Sequence, residues 1–156
     1  MRRSYPMATL AGLFHFRFVP HKTYVSLKFY KMKLPEKPEH VHAALATAWN
    51  TGDVNNVLAL YEEEGVLVPQ PGQSISGKAK IKEALLGFLS TKGIFEIKTT
   101  YCVQCGDVAM SRSLWSIRDG KEIKIKAKGT ELLRKQSNGS WLFAVDHPFG
   151  ADEVSL

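Results

Sequence analysis

The chain has 156 residues, 44% of them hydrophobic, enough for one globular domain with a real core. Its formal charge of +6 is unevenly spread: no Asp or Glu precedes Glu36, a stretch that holds Arg2, Arg3, Arg17, Lys22, Lys28, Lys31 and Lys33. Beyond that stretch 14 basic residues face 15 acidic ones, so the folded part is nearly neutral and a dedicated nucleic-acid surface is not implied.

Residues 1–35 are read as a basic N-terminal extension, either an organellar leader or an upstream segment outside the folded domain. Met7–Phe14 is apolar but interrupted by His15 and Arg17. It falls far short of the roughly 20 residues a membrane-crossing helix needs. No membrane partner is therefore expected, and a cytoplasmic location is the simplest expectation. Pro35 and Pro38 mark the boundary, and residues 36–156 are expected to form one domain.

After Pro38, the residues Val41, Ala44, Leu45, Ala48 and Trp49 recur at helical spacing, and Asn50-Thr51-Gly52 stops the helix. Asp53 caps a second helix with the stripe Val54, Val57, Leu58 and Tyr61, and Glu62–Glu64 read as its solvated end. A short strand, Val66–Val68, runs into Pro69-Gln70-Pro71-Gly72, expected as a turn because proline lacks a ladder donor. Ser76 is the expected cap of a third helix carrying Ile81, Leu85 and Phe88.

From Phe95 to Pro148 the pattern is four antiparallel strands, with turns at Gly106-Asp107, Asp119-Gly120 and Asn138-Gly139. Taking each as a two-residue turn pairs Cys105 with Val108, Arg118 with Lys121 and Ser137 with Ser140. Alternation then puts Tyr101, Met110, Arg112, Gly129, Glu131 and Asp146 on the inward face. Trp115, Trp141, Phe143 and His147 fall on the outward face, where the aromatic rings need covering and point to a dimer interface. Cys102 and Cys105 alternate faces and have no second Cys/His pair, so a zinc site is not expected and they read as ordinary thiols.

Helix, helix, strand, helix and meander, together with Ala48-Trp49-Asn50-Thr51-Gly52-Asp53, Val66-Leu67-Val68-Pro69, Ser76-Gly77-Lys78 and Asn138-Gly139-Ser140-Trp141…Asp146-His147-Pro148, resemble the NTF2-like superfamily. The likeness is to its SnoaL-like and ketosteroid-isomerase-like branches and spans about residues 38–150. It implies an α+β cone, three N-terminal helices packed on a curved, mostly antiparallel sheet, with a cavity between them and a homodimer as the usual assembly. It does not fix a reaction. Ketosteroid isomerases resemble this layout but use a Tyr from the first helix, an Asp after the first strand and an acid on a middle strand. Here the first helix offers only His42 and Trp49, Pro69-Gln70-Pro71 has no carboxylate, and Glu131 alone matches the middle-strand acid.

Glu131 and Asp146 are expected as direct neighbours, and two such carboxylates in apolar surroundings raise at least one pKa. They are the expected acid/base pair, with Arg112 and Tyr101 holding the far end of a ligand and Trp49, Tyr61, Gln70, Met110 and Gly129 around it. A buried ion-pair network is the structural alternative for the same residues. Two functions stay open: a small-molecule binder or cofactor-independent acid/base enzyme of isomerase, cyclase or dehydratase type, and a noncatalytic homo-oligomerising module.

Overall fold

In a computed structural model of the chain, residues 32–151 are described. A 3-10 turn (Pro38–His40) leads into α1 (Val41–Asn50), α2 (Val54–Leu58), β1 (Tyr61–Gln70), β2 (Gln73–Ser76) and α3 (Lys78–Leu89). Four long strands follow: β3 (Ile94–Cys105), β4 (Val108–Asp119), β5 (Glu122–Lys135) and β6 (Trp141–His147). All six form one sheet in the order β2-β1-β6-β5-β4-β3, antiparallel except where β1 runs parallel to β6. The architecture is α+β, with α1 against β3 and α3 against β1. Among the described residues no helix is long and apolar enough to cross a membrane.

The helical part is leaner than three full N-terminal helices. Asp53 caps α2 as expected, its Oδ1 accepting from Asn55 N at 2.8 Å, but the helix lasts five residues. Tyr61 and Glu62–Glu64 belong to β1 instead, which starts earlier than Val66 and includes Pro69 and Gln70. Gly65 makes this possible: β1 shifts register against β6 between Tyr61 and Val66, and a Cβ at Gly65 would sit 3.2 Å from the Phe143 carbonyl. The third helix is capped by Gly77 at φ 83° rather than by the Ser76 side chain. Met32 and Leu34, assigned from sequence to the extension, pack on the core, and Trp141 N donates to the Pro35 carbonyl at 2.8 Å.

Three departures from simple alternation decide which side chains face the helices. The β3–β4 turn keeps its expected partners, Cys105 and Val108, but a shift between Thr99 and Tyr101 separates the two halves of β3. Phe95, Ile97 and Thr99 therefore turn inward while Tyr101 and Val103 turn out. The β4–β5 turn places Asp119 opposite Glu122, and a second shift near Lys124 sets Trp115 opposite Ala127. The expected register put Trp115 opposite Lys124. That slip is an odd number of residues, so β4 presents its other face: Ala109, Ser111, Ser113, Trp115 and Ile117 are buried. In β6 a shift between Leu132 and Leu133 leaves Glu131 opposite Asp146, as expected, but turns Trp141 and Phe143 inward as well.

The outward aromatic interface is thereby overturned. Trp115, Trp141 and Phe143 are core residues, exposed by 6%, 2% and 0%. Trp115 packs against Phe95 and Phe149 and donates its indole N–H to the Pro148 carbonyl at 2.7 Å. In their place the outer face of β3 and β4 carries Tyr101, Val103, Val108, Met110 and Leu114, between 37% and 59% exposed.

Candidate functional site

The inward register of β5 and β6 places two carboxyl groups side by side under the helices. Glu131 and Asp146 are directly paired and are exposed by only 3% and 7%. Each has a different set of partners. Ser113 donates its hydroxyl to Glu131 Oε1 at 2.7 Å, and Ser111 donates to Oε2 at 3.0 Å. His42 Nε2 lies 3.0 Å from the same Oε2, while its Nδ1 is 2.8 Å from the Thr99 hydroxyl. Two serine hydroxyls and one imidazole nitrogen thus converge on a single buried carboxyl group.

Gly129 explains how Glu131 can lie flat against β4. A Cβ at that position would collide with Glu131 Oε1 and come within 2.5 Å of Ser113 Oγ. The glycine, expected as open pocket volume, instead leaves room for the hydrogen bond between those two side chains.

Asp146 receives the Tyr61 hydroxyl, which reaches it from the start of β1. Burial is the main cause that pushes the Asp146 pKa up to about 7, and the Glu131 charge raises it further; the Tyr61 hydrogen bond and His42 pull the other way. Burial likewise pushes the Tyr61 phenol well above its ordinary value, with Asp146 adding to it. At neutral pH Tyr61 thus keeps its proton and donates it to Asp146, whereas Asp146 can hold or release one.

A cavity of about 50 Å³ opens onto this group. By the rule that a water needs about 10–15 Å³, roughly three to five waters would fill it. Glu131, Asp146, Tyr61 and His42 form its polar end, and Trp49, Phe95 and Trp115 are among its apolar walls. Trp49 stacks on Phe95 with ring centres 4.9 Å apart. His42, Leu45 and Trp49 recur three and four residues apart on α1, so one helix face supplies both an apolar wall and a nitrogen donor.

Several expected members of the site lie elsewhere. Arg112 belongs to the outer face, half-buried, with its guanidinium donating to the Ala151 carbonyl at 3.3 Å. Tyr101 is its pairing partner on that face and is 39% exposed; Met110 is 48% exposed. The register slip of β4 moved all three. Gln70 is exposed beside the β1–β2 turn, opposite Gln73 and away from the cavity. His147 is half-buried at the end of β6, with its Nδ1 buried and without a hydrogen-bond partner among the described residues. Sequence reading left His42 out of the site, although its spacing from Leu45 and Trp49 carried the signal.

A six-stranded curved sheet with helices over one face and a buried polar group beneath them defines a small α+β pocket protein. The chain belongs to the SnoaL-like domain family, whose model matches residues 41–142, and its fold is NTF2-like. Among solved structures it is similar to a ketosteroid isomerase-like protein from Erwinia carotovora atroseptica SCRI1043, at 27% identity and TM-score 0.57, covering 70% of this chain and 89% of that one. It is also similar in fold to a candidate calcium/calmodulin-dependent protein kinase type II association domain from Thiobacillus denitrificans ATCC 25259, at 13% identity and TM-score 0.63, covering 74% and 95%. A candidate dehydratase of the NTF2-like family from Streptomyces avermitilis aligns at 15% identity and TM-score 0.57, covering 69% and 88%. No curated protein matches the chain in sequence.

Proposed function

We propose that this protein binds a small, largely apolar, carbonyl-containing molecule in the cavity and moves a proton on it with Asp146, without a cofactor. The supporting observation is the unequal treatment of two adjacent carboxyl groups. Glu131 is fixed by His42, Ser111 and Ser113, whereas Asp146 has a pKa raised to about 7 and lines the cavity. A group that titrates near neutrality is suited to take a proton and return it. In the simplest cycle ionised Asp146 removes a proton from the carbon next to the carbonyl, leaving an enolate. Protonated Asp146 then returns a proton to carbon, and the pair ends as it began. Isomerisation, cyclisation and dehydration of carbonyl compounds all use such a transfer, which agrees with a neighbour described as a candidate dehydratase and another as ketosteroid isomerase-like.

The test uses 2-butanone, a minimal carbonyl compound with exchangeable protons on both sides, incubated with the protein in D2O and followed by proton NMR. Deuterium is expected to enter the positions next to the carbonyl faster than in buffer, with the gain lost in Asp146→Asn. No gain over buffer, or an equal gain in Asp146→Asn, overturns the proposal.

A second reading, a homodimeric association module, draws support from the exposed apolar stripe Tyr101, Val103, Val108, Met110 and Leu114. A second copy covering this stripe would occupy the outer face that the three core aromatics do not. Sedimentation should give a dimer for the wild type and a monomer for the Val103→Glu/Met110→Glu double variant. A wild-type monomer, or a variant that remains dimeric, removes this reading.

A further inference from the structure

His42 stands out as the buried ionisable group that neither carboxyl role explains. It is 2% exposed, sits on α1 rather than on the sheet, and is held at both ring nitrogens, by Thr99 and by Glu131. A nitrogen donor placed on one carboxylate draws that charge toward itself and weakens its field at a neighbour. We propose that His42 is a positioning residue that tunes the proton affinity of Asp146 by drawing on the charge of Glu131. This rests on the reading of Asp146 as the proton-transfer group and adds how its working range is set.

The surroundings of Asp146 leave few other candidates. The titratable groups that act on it are Tyr61 from β1, Glu131 from β5 and His42 from α1. From α3 the side chains at the cavity are Leu85 and Phe88, and from β4 Ser113, Trp115 and Ile117, none of which changes charge. Of the three titratable groups, Glu131 raises the Asp146 pKa and Tyr61 lowers it through a hydrogen bond. His42 also lowers it through space, and its own close contact is with Glu131, 3.0 Å away, rather than a hydrogen bond to Asp146.

Carbon-13 NMR of the Asp146 side-chain carboxyl in protein labelled at aspartate reads the effect directly. In the wild type the midpoint is expected near 7. In His42→Phe, which keeps a ring on α1 but offers no donor, it should rise by about one pH unit or more, a tenfold or greater increase in proton affinity. His42→Gln, which restores an N–H toward Glu131, should recover part of that rise. A purely structural role would lower the melting temperature of both variants without moving the midpoint. An unchanged or lower midpoint in folded His42→Phe overturns the inference. If 2-butanone exchange is absent but the midpoint moves as stated, the proton-transfer reading fails and the tuning role stands. If exchange occurs and the midpoint ignores His42, the reverse holds.

Discussion

Replacing Glu131 with alanine should lower the free energy of unfolding by about 3–5 kcal/mol, the usual cost of removing one partner from a buried charged network. The side chain is 3% exposed, so water does not readily replace it, and its loss strands the donors of Ser111, Ser113 and His42. Glu131→Gln should lose less, because its amide oxygen still accepts while its NH2 opposes one of the three donors. The control is Glu96→Ala. Glu96 pairs with Arg118 at 3.1 Å, but both side chains are well exposed, so the change should cost under about 1 kcal/mol. Urea unfolding of the three variants checks the ranking. If Glu131→Ala fell no further than Glu96→Ala, the network would be decoration on a sheet held entirely by its apolar side chains.

The same network shows what was legible in the chain and what was not. The turn signal at Asn138-Gly139 brought Glu131 and Asp146 together on a local cue, but the count holds only because two irregularities offset each other: Gln136 rather than Ser137 faces Ser140, and the shift between Leu132 and Leu133 restores the register. The α+β class and the SnoaL-like resemblance were legible for a similar reason: α1, the Asp53 cap and the turn glycines are local signals. Side-chain direction was not. The shifts at Thr99/Tyr101, near Lys124 and between Leu132 and Leu133 carry no marker such as glycine or proline at the irregular step, and each odd slip exchanges the two faces.

β4 shows how little separated the two outcomes. Its sequence, Val108-Ala-Met-Ser-Arg-Ser-Leu-Trp-Ser-Ile117, offers on one face valine, methionine and leucine broken by an arginine and a serine. The other offers alanine, tryptophan and isoleucine broken by two serines. Hydrophobicity alone does not choose. Tertiary demand does: Ser111 and Ser113 are needed beneath Glu131, and Arg112 cannot be buried opposite it without leaving the helix layer a charge to accommodate. His42 was missed because its spacing from Leu45 and Trp49 places it on their helix face without saying which strand residue lies beneath it.

Asp146 should make the protein less stable as the pH rises toward neutrality, against the usual behaviour of an aspartate. An unfolded aspartate titrates near 3.9, whereas in the fold Asp146 holds its proton up to about 7. Between those values the folded state binds more protons than the unfolded one, so the slope of stability against pH is negative. The contribution is fully present below about 3.9 and is lost as pH rises through about 7. At about 1.36 kcal/mol per pH unit, the change amounts to roughly 4 kcal/mol. Other acids titrate over the same range, so the quantity to measure is the difference between wild type and Asp146→Asn, by urea unfolding at intervals from about pH 4 to pH 8. Asparagine cannot ionise, and relative to it the wild type should lose stability steadily across that interval. A wild type that instead gains on Asp146→Asn would mean that the fold favours the carboxylate, and Asp146 could not be the group that lends protons. A negative slope shared with Glu131→Gln but shifted to lower pH would trace part of the effect to the charge beside it, since Glu131 is one of the causes that raise Asp146.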